Sequence, residues 1–109
     1  IGGPTPAKDI AKACLRIIAQ LTQDPSKSGT YHFSGAEDVS WANLATEIFN
    51  QTGRYVNVIP IPTVDYPTPA VRPLNSRLNC RSTGEVFSIN RPDWRIGLNE
   101  ILTELGVIK

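Results

Sequence analysis

A small α/β unit, three to four helices with two to three short strands, is the fold class this sequence predicts. Three observations predict it: apolar stripes recur at helical spacing, two short segments alternate as strands do, and the two kinds of segment follow one another along the chain. The chain has 109 residues and 40% hydrophobic content. That suffices for one domain with one modest core, burying roughly 65% of the surface its unfolded form exposes.

The first helix is expected from about Pro6 to Gln23, because Ile10, Ala13, Cys14, Ile17, Ile18 and Leu21 form one apolar stripe. Thr5 is placed to cap its first amides, Pro6 supplies the preset φ of a first helical position, and Asp24-Pro25-Ser26-Lys27-Ser28-Gly29 stops it. Thr30-Tyr31-His32-Phe33 reads as a short strand between Gly29 and Gly35. A second helix follows a Ser40 cap, carries Trp41, Leu44, Ala45, Ile48 and Phe49 on one face, and ends at Gly53. Arg54 to Pro60 reads as a second strand, with Val56 and Val58 alternating against Asn57 and Ile59. A short extended piece is expected at Asn75 to Leu78, then a marginal helix from about Cys80 to Phe87, weakened by Gly84. The last helix carries Trp94, Leu98, Ile101, Leu102 and Leu105, with Asp93 near its start and Gly106 at its stop. Trp94 begins that stripe, which makes it the anchor of the helix in the core.

Composition excludes several functions. Eleven basic residues balance 10 acidic ones with no basic tract, so nucleic acid is not an expected partner. No stretch approaches the ~20 apolar residues that cross a bilayer, so no membrane role is expected. Cys14 and Cys80 are too few for a disulfide framework or a zinc site, and read as structural thiols in a reducing compartment. The chain opens Ile1-Gly2-Gly3-Pro4-Thr5 without an initiator methionine, and the expectation is a piece of something longer.

Reactive constellations are missing too. The glycines never fall at G-x-G-x-x-G spacing, and none of Tyr31, Tyr55 or Tyr66 has a lysine four residues later. His32, the sole histidine, reads as packing or a satisfied hydrogen bond. The acidic residues are scattered, with Glu100 and Glu104 an ordinary solvated face. No catalytic centre and no metal site is expected.

One segment carries the functional signal. Five of the nine prolines lie between Pro60 and Pro73, so the backbone is held extended and little ordering entropy remains to be lost on binding. Arg72, between Val71 and Pro73, offers a planar set of donors that matches a phosphate or carboxylate; Asn75 and Ser76 add neutral donors and acceptors. A rigid spacer is the commoner use of such composition, and stands beside the ligand-capture reading.

Gly3-Pro4-Thr5 with Asp9-Ile10-Ala11, Gly29-Thr30-Tyr31-His32, Ser40-Trp41, the segment from Tyr66 through Arg72-Pro73 to Asn75-Ser76-Arg77-Leu78, and Pro92-Asp93-Trp94-Arg95 with Gly97-Leu98 occur in a particular order and spacing. In these the chain resembles the dTDP-4-dehydrorhamnose reductase family of extended short-chain dehydrogenases. The resemblance implies that residues 1–109 are the C-terminal substrate-binding portion of a Rossmann-type enzyme, whose N-terminal lobe lies outside the chain and holds NADPH and the catalytic residues. It implies an NADPH-dependent reduction of dTDP-4-dehydro-6-deoxy-L-mannose to dTDP-L-rhamnose in the bacterial cytoplasm, for cell-surface polysaccharide. This portion alone would bind no cofactor and be inactive. Arg72 is implied to grip the diphosphate of the dTDP-sugar, with Asn75 and Ser76 beside it; Asn75 can equally brace the loop. Asn79, Ser82, Thr83 and Ser88 depart from the family's pattern, and nothing is carried over to them.

Two other readings stay open: a non-catalytic reductase-like binding or regulatory module, and a free-standing domain that offers its proline loop as a polyproline ligand. If Thr30 to Phe33 forms a sheet edge, its open side would seek a partner, so the partners include the N-terminal lobe and a homodimer.

Overall fold

In a computed structural model, which describes residues 1–108, four helices are joined by long irregular segments. They are α1 (Ala7–Gln23), α2 (Trp41–Thr52), α3 (Arg81–Phe87) and α4 (Trp94–Glu104), with single 3-10 turns at Pro25–Lys27 and Thr63–Asp65. All four expected helices are present. The expected strands are not.

No strand forms among the described residues; two isolated bridges, Gly2 with Val39 antiparallel and Ala36 with Asp93 parallel, are the whole of the β pairing. The reading of Thr30 to Phe33, Arg54 to Pro60 and Asn75 to Leu78 as strands or extended pieces of a sheet is therefore corrected: they lie outside any ladder. Alternation selects extended backbone, but a strand also needs a neighbour for its amides and carbonyls. The His32 carbonyl is taken by the Thr83 hydroxyl at 2.5 Å, a side chain where a strand would put a backbone amide. Residues 54–60 bury no face; all are exposed but Val58, which is half-buried. Without that strand, the edge argument for a homodimer loses its premise.

The α1 stripe is buried along one half of its width. Ala13 is buried and Ile17 and Leu21 are half-buried, whereas Ile10, Cys14 and Ile18 face outward. Cys14 is thus exposed, although it lies on the apolar stripe and reads in the sequence as a structural thiol. The buried half meets Phe87 and Ile89, with Tyr31, Phe33 and Val86 around them. Phe87 is fully enclosed, and the Tyr31 ring stands edge-on to it at 4.7 Å between centroids. Polar ties close the same contact: Gln20 Nε2 donates to the Phe87 carbonyl at 2.8 Å and an Arg16 guanidinium nitrogen to that of Ser88 at 3.0 Å. These are carbonyls at the end of α3, which its own turns leave without partners. A seven-residue helix with a central glycine is in this way held by α1 rather than by its propensity.

Helix boundaries follow local chemistry. Ser40 Oγ accepts from the Asn43 amide at 3.1 Å at the start of α2, and Gly53 ends it at φ 68°. Asp93 caps α4 by accepting from the Arg95 amide at 2.9 Å. Thr5 does not cap α1; its hydroxyl donates to the Gly3 carbonyl at 2.9 Å and accepts from the Gly35 amide at 3.0 Å. Asp24 ends α1 and accepts from both the hydroxyl and the amide of Ser26, which hold its carboxyl below the usual carboxylate range.

Trp94 anchors α4 as expected: it is buried, and its indole N–H donates to the Glu37 carbonyl at 3.1 Å. Arg95 lies over the Trp94 ring at 4.5 Å and pairs with Glu37 at 2.8 Å. Gly97 lets α4 approach the Pro6 ring, which a Cβ there would strike. Helix α2 packs on α4 but buries no residue fully, and Trp41, expected on its apolar face, is 82% exposed.

Residues 53–79 are all exposed apart from Val58. The radius of gyration is 16.7 Å, against about 13 Å for a compact chain of this length.

Two stability changes are expected. Phe87→Ala should cost about 3–5 kcal/mol in chemical denaturation, because the cavity opens at the centre of the contact between α1 and α3. Ser88 sits at φ 55° in the left-handed region, so Ser88→Gly should stabilise by up to about 1 kcal/mol in the same assay.

Candidate ligand-binding loop

The loop is stiff before it is anchored. Pro60, Pro62, Pro67, Pro69 and Pro73 fix φ, and the 3-10 turn at Thr63–Asp65 is closed by the Asp65 amide on the Pro62 carbonyl at 2.9 Å. The Thr68 hydroxyl donates to the Ala70 carbonyl at 2.9 Å just before the apex. Arg72 then stands exposed, and no residue among those described takes a hydrogen bond or ion pair from its guanidinium. Five donors are left to solvent.

The returning leg is fastened to the body. The Ser76 amide and hydroxyl both donate to the Ile1 carbonyl, at 2.8 and 3.1 Å, and the Ile1 nitrogen donates to the Leu74 carbonyl at 2.7 Å. Gly2 next to it exchanges both backbone bonds with Val39, at 3.1 and 2.7 Å, and Val39 is buried. Asn75 Oδ1 accepts from the Arg77 amide at 3.1 Å, which makes a local turn. Its amide nitrogen has no partner among the described residues.

Below that leg lies an ionic clamp. Arg91 donates to the carbonyls of Ser34 at 3.3 Å and Gly35 at 2.6 Å, and to Asp38 Oδ1 at 2.6 Å. The other Asp38 oxygen faces Arg77 Nε at 3.9 Å. The Asp38 and Arg91 side chains are 22% and 28% exposed, so their pair is partly shielded and also satisfies buried backbone. Arg77, 49% exposed and beyond hydrogen-bond reach, adds little by comparison. An open groove of about 240 Å³ runs between the Gly2–Thr5 segment, Phe33, Trp41 and Ser76.

Of the residues singled out in the sequence, Asn75 and Ser76 thus sit at the fastened foot and Arg72 at the free apex; no bond joins Arg72 to the other two. Sequence reading missed Asp38, Arg91 and Gly2. Asp38 and Arg91 are 53 residues apart, and no local pattern signals such a pair. Among the described residues no group of three or more His, Cys, Asp or Glu side chains could hold a metal, and no helix is long and apolar enough to cross a membrane. The His32 side chain is exposed rather than packed, and both cysteines are free, with Cys80 Sγ 3.6 Å from Ser34 Oγ.

Comparison with known proteins adds the family. The family model described as RmlD substrate binding domain matches residues 1–107. A dTDP-4-dehydrorhamnose reductase of Sinorhizobium fredii is 39% identical over 100 residues, covering 86% of this chain and 34% of that protein. Its counterpart from Aggregatibacter actinomycetemcomitans is 37% identical over 108 residues, covering 93% of this chain and 37% of that protein. Methionine adenosyltransferase 2 subunit beta of Xenopus laevis is 33% identical over 103 residues, covering 91% of this chain and 30% of that protein. The chain therefore spans about a third of the length of the curated relatives it matches.

The clamp makes a graded prediction. Asp38→Ala leaves the Arg91 guanidinium without its carboxylate and should cost about 1–3 kcal/mol in urea unfolding. Arg77→Ala should cost less than about 1 kcal/mol in the same assay.

Proposed function

The chain belongs to the RmlD substrate binding domain family, and on that premise we propose that residues 1–109 form the C-terminal, substrate-holding portion of a longer reductase. Its reaction is the NADPH-dependent conversion of dTDP-4-dehydrorhamnose to dTDP-L-rhamnose, carried out in the bacterial cytoplasm. The observation that carries the binding role is Arg72: a cation left unpaired at the apex of a proline-stiffened loop whose returning leg is tied to the body. A guanidinium fork meets the diphosphate of a nucleotide sugar with paired charge-assisted hydrogen bonds, each roughly twice as strong as a neutral one. Asn75, three residues further on, has its side-chain amide nitrogen without a partner among the described residues. Ser76, whose proton is spent on Ile1, has none left to donate to the ligand.

The chain's own residues do not fit a dinucleotide. The start of α1 has Pro6, which has no amide, as its cap and the acidic Asp9 in its first turn, and at α2 the Ser40 hydroxyl already takes the Asn43 amide. Cofactor and catalytic groups are accordingly assigned to an N-terminal Rossmann lobe. Apolar side chains left in water support a further lobe as a partner: Leu15 is 70% and Ile18 59% exposed on α1, an arrangement a separate small domain seldom presents. The chain's contribution is to hold and orient the sugar nucleotide, so this portion alone is inactive.

A second reading, a non-catalytic module that serves another enzyme, has one observation in its favour: the likeness to a protein named as a subunit of an adenosyltransferase. Nucleotide binding divides the two. Titration with dTDP, followed by amide chemical shifts, should show binding at millimolar to sub-millimolar strength, about 4–6 kcal/mol, with shifts in residues 66–78. Arg72→Ala should weaken it by at least about tenfold, the loss of a charged hydrogen bond. A flat titration, or equal binding by the variant, would remove the role given to Arg72.

A further inference from the structure

We propose that Gly2 and Ser76 are positioning residues that set the pose of Arg72, with Ser76 acting through Ile1 rather than on the ligand; the inference rests on the ligand role given to Arg72. Ser76 binds the Ile1 carbonyl twice, through its amide at 2.8 Å and its hydroxyl at 3.1 Å. That carbonyl cannot drift, because the next residue, Gly2, is bonded in both directions to the buried Val39. The path from core to loop is therefore Val39, Gly2, Ile1, Ser76, and then four residues back to Arg72, with Pro73 fixing φ on the way.

Gly2 is what lets the hydroxyl take this place. A Cβ built on Gly2 would collide with Ser76 Oγ, while the Ser76 carbonyl and its carbon, at 3.5 and 3.6 Å, would be in ordinary contact. A methyl group there evicts the hydroxyl and spares the backbone. Gly2→Ala and Ser76→Ala accordingly remove the same bond by different routes, one by crowding and one by deletion. The other ties on this leg also end on Ile1, the Ser76 amide on its carbonyl at 2.8 Å and its nitrogen on the Leu74 carbonyl at 2.7 Å, whereas the Arg77–Asp38 pair stands at 3.9 Å. The apex can lose its aim while the helices keep their packing.

The test uses the intact protein with dTDP as the probe, in Gly2→Ala, Ser76→Ala, the double variant and Arg72→Ala. Each single variant should weaken dTDP binding by about three- to tenfold, since small misplacements of a binding group are costly, and the double variant should be no worse than either single. In ligand-free protein both should speed trypsin cleavage after Arg77 several-fold, with the melting temperature unchanged. Unchanged affinity despite faster cleavage would overturn the proposal, leaving a structural brace alone. Weaker affinity with unchanged cleavage would also overturn it, because Ser76 would then be touching the ligand itself. Additive losses in the double variant would break the claim of one shared bond. Equal dTDP binding by Arg72→Ala would instead sink the underlying reading and this inference with it, whereas loss in that variant beside wild-type behaviour in the other three would sink the inference alone.

Discussion

The structure depends on one close crossing, where the Gly2–Thr5 segment passes over Ser34–Val39. With no sheet to hold them, these two stretches are joined by separate bonds: Gly2 with Val39, the Thr5 hydroxyl with the Gly35 amide, and Arg91 reaching the Ser34 and Gly35 carbonyls as well as Asp38. The backbones come so near that a Cβ on Gly3 would run into the Gly35 carbonyl and one on Gly35 into that of Pro4. Glycine is required at both positions for proximity, not for an unusual dihedral. Each bond is a modest net gain on its own, but most of the groups are buried or half-buried, and leaving them unpaired would cost more than pairing them returns.

From this crossing the rest is laid out. On one side Pro6 leads into α1 and meets Gly97 of α4; on the other Ala36 pairs with Asp93, and the indole of Trp94 bonds to Glu37. Helices α1 and α3 then close over Phe87. The loop with Arg72 touches the same crossing at its foot, through Ile1 and Ser76 and through Arg77 near Asp38. A segment that buries almost nothing cannot be positioned by hydrophobic packing, so its pose comes from stiffness along the chain and hydrogen bonds at one end. A cationic group on such an arm is held without being buried, and its donors stay open to solvent.

Much of this was legible in the sequence, and for local reasons. The helical stripes, the Ser40 and Asp93 caps, the Gly53 stop and the Trp94 anchor all depend on residues within a turn or two of one another. The candidate site was legible in part. Proline density and a lone arginine mark a stiff, cationic apex, and Asn75 does brace its own loop, one of the two roles open to it. The strands were misread because alternation reports a segment's shape and not whether a neighbour exists. Trp41 was misread for a similar reason: a stripe says which residues share a face, not whether anything covers it.

By itself, then, the sequence determined the number and bounds of the helices, the rigidity of the loop and the chemistry at its apex, since each follows from backbone preferences and side-chain type over short distances. Tertiary structure alone decided that Asp38 serves Arg91, that Gly2 makes room for Ser76, and that extended segments stay unpaired. Those outcomes join residues 53, 74 or 75 positions apart, and no periodicity carries information over that separation. They arise when the folded chain brings the partners to one place and leaves no other group to satisfy them.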